Sequence, residues 1–398
     1  MRLGISGLAL GNPTGLGRLS RVYVLALAEC APDWELHVYV RRMADLQCLR
    51  DECDRRSEAL VDRLVVHRAP APWLNRLILE ELDLPRQFAP LRLDAYLGCD
   101  FTLPGRRLAP REFAVVPDLL PFTRPGTVSW RARFLYRRGI RRCLRRQATL
   151  LCISRHTADA FARLFPRAAP RTAVVRPTLS PRLWQLARAE RHGDHPPQVQ
   201  GTLHRLSAPG PYILAVGTAG SRKNTPLLVD VYREVVMRGD YRGSLVLVGG
   251  NGRFHTAPDG QRLALETAGA AWHETRTSAE VYDLGRVNDY DLSQLYHHAD
   301  LLVNLSSEEG FGFPVLEALA HGVPALVTAG SSMTEIADRG IAATPLERAE
   351  CGRRLISALH ALPLLRQEAA GVPEEQYSLE RLGSDLVQVL SGGATDAA

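Results

Sequence analysis

LLVNLSSEEGFGFPVLEALAHGVPALVT, residues 301–328, reads as a strand, a glycine-rich crossing, a helix and a second strand. LLVNLS and ALVT are short apolar runs of β type. Pro314 suits the first turn of a helix through VLEALAH, where its missing N–H costs nothing, and Gly322 can end it. Two strands joined through a helix run parallel. The same alternation extends in both directions. Candidate strands upstream are Arg2 to Ser6, Glu35 to Val40, Ala95 to Leu97, Phe113 to Val116 and Thr149 to Ile153. Further along come Tyr212 to Val216, Ser244 to Val248, Val281 to Leu284, Leu301 to Asn304 and Ala325 to Thr328. Between the two sets the pattern dissolves into RAERHGDHPPQVQGTLHRLSAPGP, polar and rich in proline and glycine. The expectation is an α/β chain with a first domain over residues 1–190, a linker over 191–210, a second domain over 211–375 and a C-terminal helix and tail over 376–398. Ligands of such sheets bind beyond the carboxyl ends of the strands, so the chemistry should sit in the loops that follow them.

Composition fits this division. The chain has 398 residues, 45% of them hydrophobic, enough for two cores. Seven scattered cysteines without a CxxC pair signal neither a disulfide framework nor a zinc site, and a reducing cytoplasm is the expected location. The start, MRLGISGLALGNP, reads as a first strand rather than a leader, and no apolar run is long enough to span a bilayer. The net charge of +6, carried mostly by arginine, suggests anionic partners.

Two loops hold residues suited to an anionic, hydroxylated ligand. In the first, Glu309 precedes the turn and Glu317 is placed in the first helical turn beyond it, with Gly310 and Gly312 between them. Glycines let a ligand approach the main chain, helix-start amides bind phosphate, and carboxylates accept hydrogen bonds from sugar or ribose hydroxyls. Taken singly, Glu317 reads equally as a helix-capping glutamate and Glu309 as a solvated loop acid. The second loop, GTAGSRKNTP from Gly217 to Pro226, follows a strand, carries Arg222 and Lys223, and leads through Asn224 or Thr225 and Pro226 into a helix. Two cations beside helix amides suit a diphosphate; a solvated basic turn is the alternative.

SEEGFGFPVLEALAHGVPALVT, followed by SSMTEIA, resembles the donor-site signature of the retaining glycosyltransferases of family 4, in which a glutamate, seven residues and a second glutamate enclose a Gly-Phe-Gly-aliphatic-Pro core. The resemblance continues through VYDLGRVNDYDLSQLYHHADLLVNLSSEEG and PYILAVGTAGSRKNTPLLVDVY, essentially the whole second half. It implies a GT-B fold, two Rossmann-like domains facing each other across a cleft, with the helix in SLERLGSDLVQVL crossing back to the first. It further implies that Glu309 lies near the transferred sugar and that Glu317 holds the ribose. The amides of Gly310, Phe311, Gly312, Phe313, Pro314's neighbours and Val315 would contact sugar and phosphate, while Lys223, with Arg222, Asn224 and Gly217 beside it, would grip the diphosphate. Val287, in DLGRV, lies where relatives hold the base through main-chain atoms. No cofactor and no metal are implied. Many relatives carry arginine where this chain has Thr218, and a His-Asp pair where it has Pro117-Asp118 in FAVVPDLLPF. Asp118 could still orient an acceptor hydroxyl, or simply form a turn. GNPTGLGRLSRVYVLALAE resembles the family's N-terminal glycine loop and helix, with Gly15, Gly17 and Arg18 in order, and LLCISRHTADAF its strand and helix start at Ser154.

The expected activity is transfer of a sugar from a nucleotide diphosphate to a hydroxyl of a saccharide or polyprenyl-diphosphate-linked saccharide in surface polysaccharide biosynthesis. GDP-mannose is the leading donor, with UDP- and dTDP-sugars open. A nicotinamide oxidoreductase would need GxGxxG after the first strand, which is absent, and a nucleic-acid-binding protein would not need Glu309 and Glu317 around a glycine turn. Finally, WRARFLYRRGIRRCLRRQATL, Trp130 to Leu150, places Ala132, Tyr136, Ile140, Cys143 and Leu144 on one helical side and most of the arginines between Arg131 and Arg146 on the other. The expectation is a cationic face for an anionic membrane surface, making the enzyme peripheral at the inner face; solvated arginines on a scaffold helix are the alternative.

Overall fold

The computed structural model describes residues 1–166, 171–192, 210–218, 220–249, 281–370 and 374–392. Most of the expected linker, residues 193–209, lies outside them. The chain divides into two compact units, one of Met1–Arg182 with Glu374–Ala398 and one of Leu183–Pro373.

The first unit holds seven parallel strands: β1 Arg2–Ser6, β2 Glu35–Val40, β3 Val65–Arg68, β4 Ala95–Gly98, β5 Arg111–Val116, β6 Thr149–Cys152 and β7 Thr172–Val174. Their order is β3-β2-β1-β4-β5-β6-β7. The inner strands are nearly continuous apolar runs, as expected of a sheet covered on both faces. Phe88, Tyr96, Val116, Ile140, Cys143 and Phe161 pack one side of it. The C-terminal helix Leu379–Ser391 packs on the helix Gly15–Cys30, and Gly383 is what allows the approach, since a Cβ there would collide with Cys30 Sγ and the Ala26 carbonyl.

The second unit holds six parallel strands: β8 Tyr212–Val216, β9 Ser244–Val248, β10 Val281–Asp283, β11 Leu301–Asn304, β12 Ala325–Thr328 and β13 Ile341–Thr344, in the order β10-β9-β8-β11-β12-β13. Ile213, Leu245, Val303, Leu326, Tyr232 and Leu355 lie in its core. Strand order reverses between β1 and β4 in one sheet and between β8 and β11 in the other. These reversals put the crevices where such folds bind ligands at the carboxyl ends of those strands.

Three strands were not among the sequence expectations: β3, β7 and β13, each at a sheet edge. A second difference concerns the helix after the glycine turn, which runs Phe313–Ala320 with Gly312 as N-cap. Glu317 therefore lies in its second turn, and no acid occupies the first. The start is displaced because Gly312, at φ 113°, supplies a left-handed residue that lets the chain turn into the helix one residue ahead of Pro314.

Candidate active site

The loops after β8 and β11 meet at the reversal point of the second sheet. After β8 the chain turns at Gly217, φ 73°, whose N–H donates to the Val248 carbonyl at 2.8 Å. A short 3-10 turn, Ser221–Lys223, then leads to the helix Thr225–Met237. Asn224 is its N-cap in a left-handed conformation, yet its side chain makes no capping bond and donates instead to the Leu305 carbonyl at 2.8 Å. The Arg222 carbonyl accepts from Ser307 N at 2.8 Å, and Arg222 Nη1 donates to the Glu308 carbonyl at 3.1 Å. The basic turn is thus laced to the loop carrying Glu309, and the solvated reading of it does not hold.

Glu309 Oε1 is the centre of this arrangement. It pairs with Lys223 Nζ and with Arg222 Nη1, the latter at 2.8 Å, and accepts from Ser306 Oγ at 2.8 Å. The side chains of Lys223 and Glu309 are only 10% and 12% exposed. Burial pushes the Glu309 carboxyl up, but Lys223 and Arg222 outweigh it and hold it below the usual carboxylate range. Burial lowers the Lys223 ammonium, which Glu309 only partly restores. Lys223 is also the only lysine among the 49 lysine and arginine residues of the chain. A composition that otherwise uses arginine throughout has a compact ammonium at this one place, where a guanidinium would need more room and a planar partner.

Beyond the turn, Gly312 is required by more than its φ: a Cβ would come within 2.7 Å of Met333 Cγ. Met333 belongs to the 3-10 turn Ser332–Glu335, whose Ser332 Oγ donates to the Glu309 carbonyl at 2.8 Å. Phe311 is buried, Gly310, Phe313 and Pro314 half-buried, and Val315 N closes the first helical bond on the Gly312 carbonyl at 2.9 Å. Glu317 is buried and accepts from Tyr296 Oη at 2.7 Å. Its carbonyl accepts from His321 Nδ1 at 2.7 Å, so the ring's Nε2 is left to accept from Ser293 Oγ, also at 2.7 Å. Burial lowers His321 to about 4, which fits this neutral tautomer. Val287 is half-buried between β10 and the helix Asp289–His298, in a turn fixed by Gly285 N donating to Asp283 Oδ1 at 3.0 Å.

Arg222, Lys223 and Glu309 are therefore brought together, with Gly217 against the Lys223 ammonium at 3.3 Å from where its Cβ would be. Glu317 is in the same loop-helix element with its own partner. Tyr296, Ser306, Ser332 and His321, which fix the two glutamates, went unnoticed in the sequence. Their pairing depends on contacts between separate segments, and only the polar residues within QLYHHAD offered a signal.

In the first unit, Gly15, Gly17 and Arg18 lie in the first turn of the helix Gly15–Cys30 rather than in the loop before it. Gly17 is obligatory because a Cβ would fall on the Asn12 carbonyl. The preceding loop is anchored by buried Arg21, which donates to the Leu10 carbonyl at 2.6 Å and to Glu52 Oε1 at 2.8 Å. Asp118, following β5, accepts from Leu120 N at 3.1 Å at the start of a short helix. Ser154 caps the helix Arg155–Leu164 by accepting from Thr157 N at 3.1 Å. In the helix Trp130–Arg146, Gly139, Ile140 and Cys143 are buried, with Tyr136 and Leu144 packed partly against the core. Arg138 and Arg142 pair with Glu81 at 2.9 and 2.7 Å and Arg146 with Glu112 at 3.2 Å, so these three arginines brace the unit. Among the described residues no helix is long and apolar enough to cross a membrane, and no cluster of three or more His, Cys, Asp or Glu side chains is arranged to hold a metal ion.

Two parallel α/β units with this strand order define the GT-B fold of glycosyltransferases. The whole chain superposes on WaaG, a glycosyltransferase involved in lipopolysaccharide biosynthesis, with a TM-score of 0.64 at 15% identity, covering 98% of this chain and 100% of that one. Anabaena Alr3699/HepE, solved in complex with UDP and glucose, gives 0.62 at 16% identity over 98% and 100%. Residues 204–359 match the family model of glycosyl transferases group 1. The chain is also similar to O-antigen chain mannosyltransferase B of Escherichia coli, 36% identical over 135 residues, which are 34% of this chain and 33% of that protein. Mannosylfructose-phosphate synthase of Agrobacterium fabrum is 30% identical over 130 residues, 31% and 26% of the two chains. The matched stretch spans a third or less of these curated relatives.

Proposed function

We propose that this protein is a retaining glycosyltransferase that moves a sugar, with mannose from GDP-mannose as the leading donor, to a hydroxyl of a saccharide or lipid-linked saccharide in surface polysaccharide biosynthesis. The observation that carries the reading is the Lys223–Glu309–Arg222 cluster at the carboxyl ends of β8 and β11. The mannosyl donor is supported by the names of both curated relatives, an O-antigen mannosyltransferase and a mannosylfructose-phosphate synthase.

In the free protein Glu309 neutralises one of two adjacent cations, leaving the cluster with a positive charge. A nucleoside diphosphate replaces the glutamate as their partner, and the released carboxylate, still reached by Ser306, turns to the transferred sugar. The bond from the anomeric carbon to the diphosphate oxygen breaks as the acceptor oxygen bonds to that carbon. The departing phosphate oxygen keeps the electron pair and takes the acceptor's proton on the same face, so configuration is retained. Lys223, Arg222 and the first-turn amides of the helix Phe313–Ala320 meet the growing negative charge, and the reading includes no metal. Glu317, braced by Tyr296, holds the ribose. The acceptor falls to the first unit, with Asp118 as the strand-end carboxylate and Gly15, Gly17 and Arg18 at the entrance to its first helix, at the inner face of the membrane.

Thermal shift with GDP, UDP, dTDP and ADP tests the donor. A ligand at a hundredfold over its dissociation constant stabilises by about 2.7 kcal/mol. GDP is expected to raise the melting temperature most, and GDP-mannose to be consumed when a mannan or lipid-linked acceptor is added. Preference for UDP or dTDP would reassign the donor, and no response to any nucleotide would overturn the reading.

A further inference from the structure

Ten large hydrophobic side chains are exposed among the described residues, and five of them, Trp73, Ile78, Leu82, Trp130 and Phe134, fall in two segments of the first unit. Trp73 is 77%, Leu82 67%, Trp130 69% and Phe134 57% exposed. The segments are held side by side. Glu81, next to Leu82, pairs with Arg138 and Arg142 of the helix that begins at Trp130. Arg76, two residues from Ile78, pairs with buried Asp100 just after β4, and Asp100 is followed by Phe101, which stacks on Tyr136 of that same helix.

The helix itself separates two sets of arginines. At 100° per residue Trp130, Phe134, Arg137, Arg141 and Arg145 share one stripe about 80° wide. Arg137, Arg141 and Arg145 are exposed. The bracing arginines Arg138, Arg142 and Arg146 occupy the adjoining side, against Glu81 and Glu112. Aromatic tips followed by a row of cations on one exposed face are what an element lying in a lipid headgroup layer presents: rings at the acyl boundary, guanidinium groups at the phosphates.

We infer that the first unit docks on an anionic phospholipid bilayer through this composite patch, with Trp73, Ile78, Leu82, Trp130 and Phe134 entering the headgroup layer and Arg137, Arg141 and Arg145 meeting lipid phosphates. This deepens the membrane placement proposed above and does not depend on the donor chemistry. A second copy of the chain fits less well, because a two-fold contact through the patch would bring the arginine stripe near its own image. The patch also adjoins the carboxyl end of β4 through Arg76 and Asp100, so a lipid-borne acceptor would reach the strand ends of the first unit directly from the membrane.

Binding to vesicles of phosphatidylglycerol mixed with phosphatidylcholine, against phosphatidylcholine alone, tests the inference, with donor hydrolysis in solution measured in parallel. The wild type should sediment only with the anionic vesicles, high salt should release part of it, and tryptophan emission should shift to the blue on binding. Arg137→Gln/Arg141→Gln/Arg145→Gln should weaken binding on the order of a hundredfold, at about 1 kcal/mol per basic residue. Trp130→Ser/Phe134→Ser/Leu82→Ser should remove the salt-resistant part and the blue shift. All variants should keep the wild-type hydrolysis rate, since none of these residues lies in the second unit. Unchanged sedimentation of both variants would overturn the inference, as would equal binding to neutral vesicles. So would a concentration-dependent dimer that the serine variant abolishes while vesicle binding is absent. A protein that binds vesicles as expected but hydrolyses no nucleotide sugar would sink the proposed activity and leave the docking surface standing.

Discussion

Lys223 and Glu309 neutralise one another across two loops 86 residues apart in sequence, and both side chains are nearly buried. Removing the glutamate would leave two cations without their shared carboxylate in a desolvated place, whereas removing Lys223 leaves Glu309 paired with Arg222 and takes away the nearly buried ammonium alone. Lys223→Ala should therefore weaken nucleoside diphosphate binding and lower turnover at least tenfold, from loss of a charge-assisted contact of about 1.5–3 kcal/mol. Lys223→Arg should fail to restore it, since a planar fork cannot occupy the space of an ammonium against Gly217. Unchanged kinetics in the alanine variant would remove Lys223 from the phosphate site.

The same pair allows a test without any acceptor. Lys223 is the chain's only lysine, so an amine-reactive reagent can modify one side chain and the N-terminus. Burial lowers its ammonium and Glu309 raises it. Glu309→Gln removes the raising influence, so Lys223 should be modified faster in that variant at a given pH, and bound nucleoside diphosphate should protect it. Equal rates in the two proteins, read by mass spectrometry, would mean that the carboxylate does not govern the amine.

Glu317 accepts from Tyr296 in the second turn of its helix, so it is not serving as an N-terminal cap. A ribose grip is the same in ground and transition states, so Glu317→Gln should raise the donor KM more than it lowers kcat. Tyr296→Phe should push KM in the same direction by less, because the carboxylate keeps its place but loses one donor. Glu309→Gln should lower kcat more than it raises KM. Steady-state kinetics on the three variants would reveal the opposite pattern if the roles are exchanged.

His321 carries a pH dependence whose sign follows from its environment. Its folded value of about 4 lies below the ordinary 6.5, since burial disfavours the imidazolium. Between these values the unfolded chain binds the extra proton, so stability is intact above about pH 6.5 and falls as pH drops toward 4. At 1.36 kcal/mol per pKa unit the loss is roughly 3 kcal/mol. His321→Gln should flatten that part of the stability curve relative to the wild type. Parallel denaturant midpoints of the two proteins across the window would rule this out.

What could be read beforehand divides by burial and by sequence distance. Central strands such as Tyr212–Val216 and Ala325–Thr328 are apolar on both faces and stood out as continuous runs. Val65–Arg68 and Ile341–Thr344 lie at sheet edges with most residues partly exposed, and in VVHR and IAAT the apolar signal is too short and mixed to separate from loop. Thr172–Val174, at the other edge, has only three residues. The residue types of the candidate site were visible because glycine, proline and charge cluster locally in GSRKNTP and EEGFGFP. Their pairing was not, since Lys223 meets Glu309, and Tyr296 meets Glu317, only after β8 and β11 become neighbours and the helix Asp289–His298 packs near the helix that follows. The arginines of Trp130–Arg146 were read as one face because composition cannot show that Glu81 and Glu112 claim three of them.

Gly312 joins backbone strain to the position of Glu309. At φ 113° an alanine is strained by roughly 1–2 kcal/mol even in open space, and here its methyl would also press on Met333 Cγ at 2.7 Å and Ile336 Cδ1 at 3.2 Å. Met333 is fully buried and stands beside Ser332, whose hydroxyl holds the Glu309 carbonyl. Pushing the 3-10 turn aside would shift that serine and with it the carboxylate that faces Lys223. Gly312→Ala is therefore expected to lower kcat tenfold or more while the protein remains folded. Met333→Ala creates a cavity costing about 2–5 kcal/mol by itself, but in the Gly312→Ala background part of that space is filled by the new methyl. The double variant should be more stable than the sum of the two single effects by roughly 1 kcal/mol, the coupling expected of residues in contact. Strict additivity in denaturant unfolding would show that the methyl is accommodated without touching Met333, and the loss of turnover would then have to come from the turn's backbone alone.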